Sequence, residues 1–127
     1  MASAVLDASA VLAYIGGEEG GDALEDYRDA PLISAVNLAE VVSKLIDRGV
    51  PEDVAPAIIA SLGLSVAPFD ERQAYLSAAL RPSTRQHNLS LGDRACLALA
   101  SLRGLPALTA DRVWQKLRIP VEIRQIR

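Results

Sequence analysis

The stretch Pro31-Leu-Ile-Ser-Ala-Val-Asn-Leu-Ala-Glu-Val-Val-Ser-Lys-Leu-Ile-Asp-Arg-Gly49 decides the fold class. It begins with a short apolar run, Pro31 to Ile33, which is typical of a buried strand. Ser34 stands where an N-cap is expected, and the apolar residues after it recur with helical spacing until Gly49. A buried strand that leads directly into an amphipathic helix is one half of a βαβ unit, in which the next strand lies parallel to the first.

The same order of strand and helix recurs on both sides of this stretch. Further strands are predicted at 3–6, 64–69, 106–109 and 121–126, and further helices at 7–14, 22–27, 51–60, 70–80 and 90–103. The glycine-rich segment 16–21 is predicted to be a flexible connection, and 81–88, which has no periodicity, a loop. Strands that alternate with helices indicate an α/β fold with a parallel sheet and right-handed crossovers.

The length of 127 residues predicts a single domain over residues 1–127. Half of the residues are hydrophobic, which is enough for a core and excludes disorder as the main state. One cysteine and one histidine exclude a disulfide framework, multi-thiolate zinc sites and nearly all imidazole-based metal sites. No apolar run is long enough to cross a bilayer, and no basic region opens a signal peptide, so we expect a cytoplasmic protein without a membrane partner.

Charge is divided unevenly along the chain. Residues 1–80 carry thirteen acidic and four basic side chains, a net charge of −9, whereas residues 81–127 carry three acidic and nine basic ones, a net charge of +6. Such asymmetry indicates either a side of the protein that faces a polyanion or two halves that attract each other in the fold.

Four carboxylates stand where an open parallel sheet binds its ligands, beyond the carboxyl ends of its strands. Asp7 ends the first strand and Asp111 follows the fourth, while Glu40 and Asp93 lie on the helices that follow the second strand and precede the fourth. Clustered acids resist ionisation unless a cation neutralises them, and ligands that offer only oxygen suit Mg²⁺ or Mn²⁺. A divalent ion held in this way is typical of phosphodiester hydrolysis.

Each acid also has an ordinary structural interpretation. Asp7 suits a turn after a strand, and Asp93 completes a capping box with Ser90. Glu40 could pair with Lys44 one turn later, and Asp111 with its neighbour Arg112. It is the joint placement of the four acids that favours a common site.

Four motifs in order resemble the acidic motifs of PIN-domain ribonucleases, and most closely those of the VapC toxins of toxin–antitoxin pairs. They are Val5-Leu-Asp7-Ala-Ser9, Asn37-Leu-Ala-Glu40, Leu91-Gly-Asp93-Arg-Ala-Cys-Leu-Ala-Leu and Leu108-Thr-Ala-Asp111-Arg-Val-Trp. The resemblance covers the whole chain. Some members of the family carry a further acid three residues after the position of Asp111, where this chain has Trp114.

The resemblance implies a three-layer PIN-like fold, with a central, mostly parallel sheet of about five strands flanked by helices. It also implies a Mg²⁺- or Mn²⁺-dependent endoribonuclease that forms a homodimer and is inhibited by a VapB-type antitoxin. The residues that correspond to the catalytic, metal-binding acids are Asp7, Glu40, Asp93 and Asp111. Ser9 and Thr109 correspond to the small hydroxyl residues that support the acids.

RNA would meet basic side chains near these acids, and three arginines are candidates for its phosphates: Arg85, Arg94 and Arg112. Each could equally form a structural ion pair. Cys96 and Trp114 are predicted to fill the core, and His87 to lie in a polar loop.

Two other functions fit part of the pattern. One is a receiver-like phosphoacceptor domain, which would need adjacent acids after the first strand, whereas Asp7 stands alone. The other is a PIN-like binding module with a vestigial site, in which the apolar helix 90–103 is a partner surface. Stoichiometric Mn²⁺ binding would separate a working site from a vestigial one.

Overall fold

The computed structural model describes residues 3–27 and 29–127. Within them, strands β1 to β5 form one sheet in which every paired neighbour is parallel. The strands are β1 Val5–Leu6, β2 Leu32–Ser34, β3 Ser65–Ala67, β4 Ala107–Thr109 and β5 Ile123–Gln125. Their order in space is β3-β2-β1-β4-β5, so β1 is central and every predicted strand is present.

Helices connect the strands. They are α1 Ala8–Ile15, α2 Ala35–Asp47, α3 Ala55–Ser61, α4 Glu71–Ala79, α5 Arg81–Thr84 and α6 Leu91–Arg103, with 3₁₀ turns at Gly21–Tyr27, Arg85–His87 and Arg112–Lys116. The predicted helix 22–27 is therefore a 3₁₀ turn. Across residues 3–27 and 29–127, none of these helices has the length and apolar character that a bilayer crossing needs.

Side-chain caps start the long helices where the sequence predicts them. The Ser34 hydroxyl accepts a hydrogen bond from the Val36 N–H at 3.3 Å, and the Asp70 carboxylate accepts one from Gln73 at 3.0 Å. Such caps satisfy N–H groups that have no partner within the helix. They fix the points at which the chain turns from strand to helix.

The loop predicted at 81–88 is wrong, because this segment forms α5 and a 3₁₀ turn. Proline is favoured in the first turn of a helix, where its missing N–H would have no partner, and Pro82 occupies that position. The Thr84 hydroxyl donates to the Leu80 carbonyl at 2.8 Å, which closes the turn.

The glycine-rich segment is packed closely, not merely a flexible connection. A Cβ atom at Gly21 would lie 2.5 Å from the Ala13 carbonyl oxygen, and one at Gly20 would lie 2.0 Å from that of Ile126. Gly20 also has a φ of +81°, which glycine adopts without strain. The two glycines let the chain pass against both α1 and the C-terminal segment.

Both faces of the sheet are covered by apolar side chains, as expected of parallel strands. Val5, Leu32 and Ala107 pack on one face against residues of α6, together with the fully buried Cys96 and Trp114. The alternate residues of the same strands, Leu6, Ile33 and Leu108, pack on the other face against α1 and α2. The predicted three-layer arrangement and the core positions of Cys96 and Trp114 are confirmed.

The oppositely charged halves of the chain meet near its C-terminus. Arg127 forms an ion pair with Glu18 at 3.2 Å, and the Arg124 guanidinium donates to the Tyr27 hydroxyl at 2.7 Å. The Arg127–Glu18 pair joins a base of the second half to an acid of the first, which fits the interpretation in which the halves attract each other, whereas Arg124 forms its ion pair with Glu122 of its own half.

Candidate active site of four carboxylates

The structure brings the four predicted acids to the carboxyl edge of the sheet. Asp7 directly follows the central strand β1, and Asp111 lies two residues beyond the neighbouring β4. The charge of Asp93 raises the pKa of both Asp7 and Glu40, and that of Asp111 raises the pKa of Asp93. Asp93 therefore interacts electrostatically with each of the other three acids.

Asp7 is the most deeply buried of the acids, with 4% of its surface exposed. Burial, reinforced by the charge of Asp93, raises its pKa from 3.8 to about 6, although hydrogen bonds from Ser9 and Thr109 favour the ionised form. An acid kept this far from water without a cation is costly when ionised, which is typical of a functional site.

Two hydroxyl groups hold the Asp7 carboxylate. The hydroxyls of Ser9 and Thr109 both donate to its Oδ2 atom, at 2.6 and 2.9 Å. The same hydroxyls accept hydrogen bonds from the loop that carries Asp111. The Ala110 N–H donates to Ser9 and the Asp111 N–H donates to Thr109, both at 3.0 Å. The sequence predicts these two residues as supports, and the structure places them between Asp7 and Asp111.

Asp93 forms the capping box of α6. Its carboxylate accepts from the Ser90 N–H at 2.9 Å, and its own N–H donates to the Ser90 hydroxyl at 3.1 Å. Burial still raises the pKa of Asp93, even though the hydrogen bonds to Ser90 lower it. Asp93 can therefore cap α6 and belong to the acidic site at the same time.

Asp111 caps the 3₁₀ turn Arg112–Lys116. Its Oδ1 atom accepts from the Val113 N–H at 3.0 Å, and Trp114 in the same turn is fully buried. Trp114 therefore anchors the loop that carries Asp111.

Glu40 lies half-buried on α2, beside the first turn of α6. Its Oε1 atom accepts from the amide of Asn37 at 3.1 Å. Burial, followed by the charges of Asp7 and Asp93, raises the pKa of Glu40.

No acid of the site forms an ion pair in the described part of the chain. The pairs of Glu40 with Lys44 and of Asp111 with Arg112, which the sequence left open, are not formed. The negative charge is balanced only at a distance, by Lys44 on Glu40 and by Arg94 on Asp93.

The residues fit a hard divalent cation by charge, burial and donor type. As they stand, no three acidic, histidine or cysteine side chains among residues 3–27 and 29–127 lie close enough to enclose an ion directly. Mg²⁺ is usually held by one or two carboxylates and keeps several waters, so a wider acidic site suits it.

The three candidate RNA-binding arginines differ in their surroundings. Arg85 and Arg112 are exposed. Arg94 is half-buried, and its guanidinium donates to the Ser77 carbonyl on α4 at 3.2 Å. Arg94 therefore has a structural contact, whereas the other two are open to solvent.

Sequence reasoning assigned no role in the site to Asn37 or Gly92, although both stand in the motifs that carry the family resemblance. Asn37 is fully buried and donates both to Glu40 and to the Gly92 carbonyl at 3.0 Å. The available signal was a polar residue on the buried side of α2, one turn before an acid.

Comparison with known proteins agrees with this geometry. The sequence profile of the PIN domain matches residues 4–120. Comparison with curated proteins gives no match.

Solved structures of toxin–antitoxin proteins have a similar fold. A toxin–antitoxin complex from Klebsiella pneumoniae has a TM-score of 0.77 at 22% identity, with 98% of each chain covered. VapC20 of Mycobacterium tuberculosis, described as a sarcin–ricin loop cleaving toxin, has a TM-score of 0.73 at 17% identity, covering 94% of this chain and 99% of its own. VapBC-5 of the same organism, a member of the VapBC family, has a TM-score of 0.65 at 25% identity, covering 100% of this chain and 99% of its own.

The profile match spans nearly the whole chain, and the sheet order, the two covered faces and the acids at the carboxyl edge agree with it. The chain belongs to the PIN-domain family.

Proposed function

We propose that this protein is a Mg²⁺- or Mn²⁺-dependent endoribonuclease that acts as the toxin of a VapBC-type toxin–antitoxin pair. One observation carries the proposal: at one edge of the sheet of a PIN-domain chain, a hydroxyl group joins Asp7 to the Asp111 loop and Asp93 interacts electrostatically with the other three acids, none of which has an ion-pair partner in the described residues. Similarity to VapC20, a toxin named for cleaving the sarcin–ricin loop, supports RNA as the substrate.

The proposed roles of the acids follow from their surroundings. Asp7, Asp93 and Asp111 would hold the ion, directly or through water, and Glu40 would bind it or orient the attacking water. When bound, the ion would stabilise charge on the phosphoryl oxygens and lower the pKa of coordinated water. Ser9 and Thr109 keep Oδ2 of Asp7 in a fixed place, so this carboxylate needs no reorganisation during the reaction.

The reaction we expect is in-line attack of water on phosphorus, with departure of the ribose oxygen on the opposite side. A half-buried carboxylate such as Glu40 can accept a proton from the water and align it with the breaking bond. Arg85 and Arg112 are exposed and can contact phosphates of the RNA strand. Arg94 already donates a hydrogen bond to the Ser77 carbonyl, so only its remaining N–H groups could bind a phosphate.

The test is cleavage of a panel of RNAs with Mg²⁺, with and without chelator, by wild type, Asp93→Asn and Asp70→Asn. Asp70 is a matched control, because it also caps a helix but does not belong to the site. We expect chelator and Asp93→Asn to abolish cleavage and Asp70→Asn to preserve it. Cleavage that survives both chelator and Asp93→Asn would contradict the proposal.

A VapB-type antitoxin is the proposed protein partner, by similarity to structures of toxin–antitoxin complexes. A cleft of about 440 Å³ with a mixed apolar and polar lining, to which none of the four acids contributes, lies among α1, the turn Gly21–Tyr27 and the approach to β3. Its lining includes Leu24 and Leu64, and the surrounding segment 18–29 is rich in acids. Such a cleft suits an antitoxin segment that combines apolar and basic side chains. The pairing predicts a small reading frame next to the gene, whose product should co-purify with this chain on co-expression, and failure to co-purify would contradict it.

The alternative is a PIN-like binding module whose acids no longer act. Titration with Mn²⁺ separates the two, since a vestigial site would show no stoichiometric binding. A single domain over 1–127, homodimerisation and a cytoplasmic location also stay predictions.

A further inference from the structure

Asn37 connects the helix that carries Glu40 to the helix that carries Asp93. It is fully buried on α2, and its side-chain nitrogen donates to Glu40 Oε1 at 3.1 Å and to the Gly92 carbonyl at 3.0 Å. Gly92 lies in the first turn of α6, directly before Asp93. One amide group therefore spans 55 residues of sequence and relates two acids of the proposed active site.

The orientation of this amide is determined by its partners. Both contacted atoms are oxygens that accept, so the NH₂ group must face them. The Asn37 Oδ1 atom is consequently buried without a partner among the described residues. An unpaired buried oxygen destabilises a fold, and an apolar residue of similar size would avoid that cost. Packing alone therefore does not explain an asparagine here.

Gly92 provides the space that the Glu40 carboxylate occupies. A Cβ atom at Gly92 would lie 1.7 Å from Glu40 Oε1 and 2.5 Å from its carboxyl carbon. The helical backbone at Gly92 does not itself require glycine, which is a poorer helix former than alanine. The absence of a side chain at Gly92 thus leaves room for the Glu40 carboxylate.

We infer that Asn37 is a positioning residue, which together with Gly92 sets the place of the Glu40 carboxylate relative to Asp93. The inference rests on the proposed function for its effect on catalysis. The geometry itself predicts two couplings, one between Asn37 and Glu40 in activity and one between Gly92 and Glu40 in stability.

The first experiment measures RNA cleavage by Asn37→Ala and by Gln73→Ala. Gln73 is a matched control, because it is a buried amide that donates to a backbone carbonyl and has an unpaired oxygen, but lies on α4 and touches no acid of the site. We expect Asn37→Ala to lower the cleavage rate about 10- to 100-fold, as for other partners of metal-site carboxylates. Gln73→Ala should leave the rate within about twofold.

The same experiment is repeated in a Glu40→Ala background. A residue that acts through Glu40 has nothing left to position there, so Asn37→Ala should cause no further loss of the residual rate. An equal loss with and without Glu40 would overturn the inference, as would an equal loss in Gln73→Ala.

The second experiment needs no activity and measures thermal unfolding of Gly92→Ala with and without Glu40→Ala. With Glu40 present, the Cβ atom would displace the end of that side chain from the Asn37 amide, so Gly92→Ala should shift the unfolding midpoint less favourably than it does in the Glu40→Ala background, by a few degrees. Without the Glu40 side chain, the same substitution should raise the midpoint, because alanine favours the helix. Equal shifts in both backgrounds would overturn the inference. If wild type does not cleave RNA, the proposed function fails, and this cycle still decides whether Gly92 accommodates Glu40.

Discussion

Replacing Asp7 by asparagine should stabilise the protein at neutral pH while removing an acid that the proposed reaction needs. Burial raises the pKa of Asp7 from 3.8 to about 6, so the folded state disfavours the ionised carboxylate. Each pKa unit corresponds to about 1.4 kcal/mol, which gives a penalty of about 3 kcal/mol above pH 6. The penalty is absent below about pH 4, where the group is protonated in both states.

Asparagine has the same shape and no charge, and its oxygen can still accept from Ser9 and Thr109. Urea unfolding in the presence of chelator, followed by far-UV circular dichroism at pH 4, 6 and 8, measures the difference. We expect Asp7→Asn to exceed wild type by up to about 3 kcal/mol at pH 8 and by little at pH 4. Added Mn²⁺ should stabilise wild type more than the variant at pH 8, because the variant has one carboxylate fewer to attract the ion. A variant that is less stable at pH 8, or a difference that does not change with pH, would refute the reasoning.

Three further substitutions, one of them paired with a control, test the support of the site and the packing of the fold. Thr109→Val removes the hydroxyl that donates to Asp7, and should lower stability at pH 8 by about 1–3 kcal/mol in the same urea assay; no change would mean that water replaces this contact. Gly20→Ala should lower the free energy of unfolding by at least about 2 kcal/mol, because its Cβ atom would overlap a backbone carbonyl. Gly63 has a similar positive φ but open space around it, so Gly63→Ala should lower the free energy of unfolding by only about 1 kcal/mol. Equal costs would show that backbone strain alone matters. Trp114→Ala should lower the free energy of unfolding by about 3–5 kcal/mol, because the side chain is fully buried. The unfolding is followed by circular dichroism, since the variant has no tryptophan left for fluorescence. A loss under about 1 kcal/mol would contradict the role of Trp114 as an anchor.

Local chemistry made most of the fold predictable from the sequence. Strands were visible as short apolar runs, and the helices after them as periodic segments that begin at Ser34, Asp70 and Ser90. These signals act within a few residues. The prediction of a loop around Pro82 was wrong because local signals are ambiguous there. Proline ends some helices and begins others, and the surrounding fold decides which.

The site was predictable to the extent that it depends on chain order and sheet topology. The places of Asp7 and Asp111 follow from two adjacent parallel strands, since such strands end at the same edge. Asn37 and Gly92 could not be found in this way, because their contact joins residues that are distant in sequence and depends on side-chain orientation. The close approach of Gly20 to the C-terminal segment is likewise a property of the completed tertiary structure.

The hydroxyl bridge from Asp7 through Ser9 and Thr109 to the Asp111 loop has a consequence for protein synthesis. The first acid is synthesised about a hundred residues before its partner hydroxyl and the last acid. A nascent chain that stops before β4 lacks one of the two strands that flank β1, and with it Thr109 and Asp111 of the acidic edge. We therefore expect products that stop before β4 to cleave no RNA, so that any cleavage begins only once the chain has been made and folded beyond the Asp111 loop.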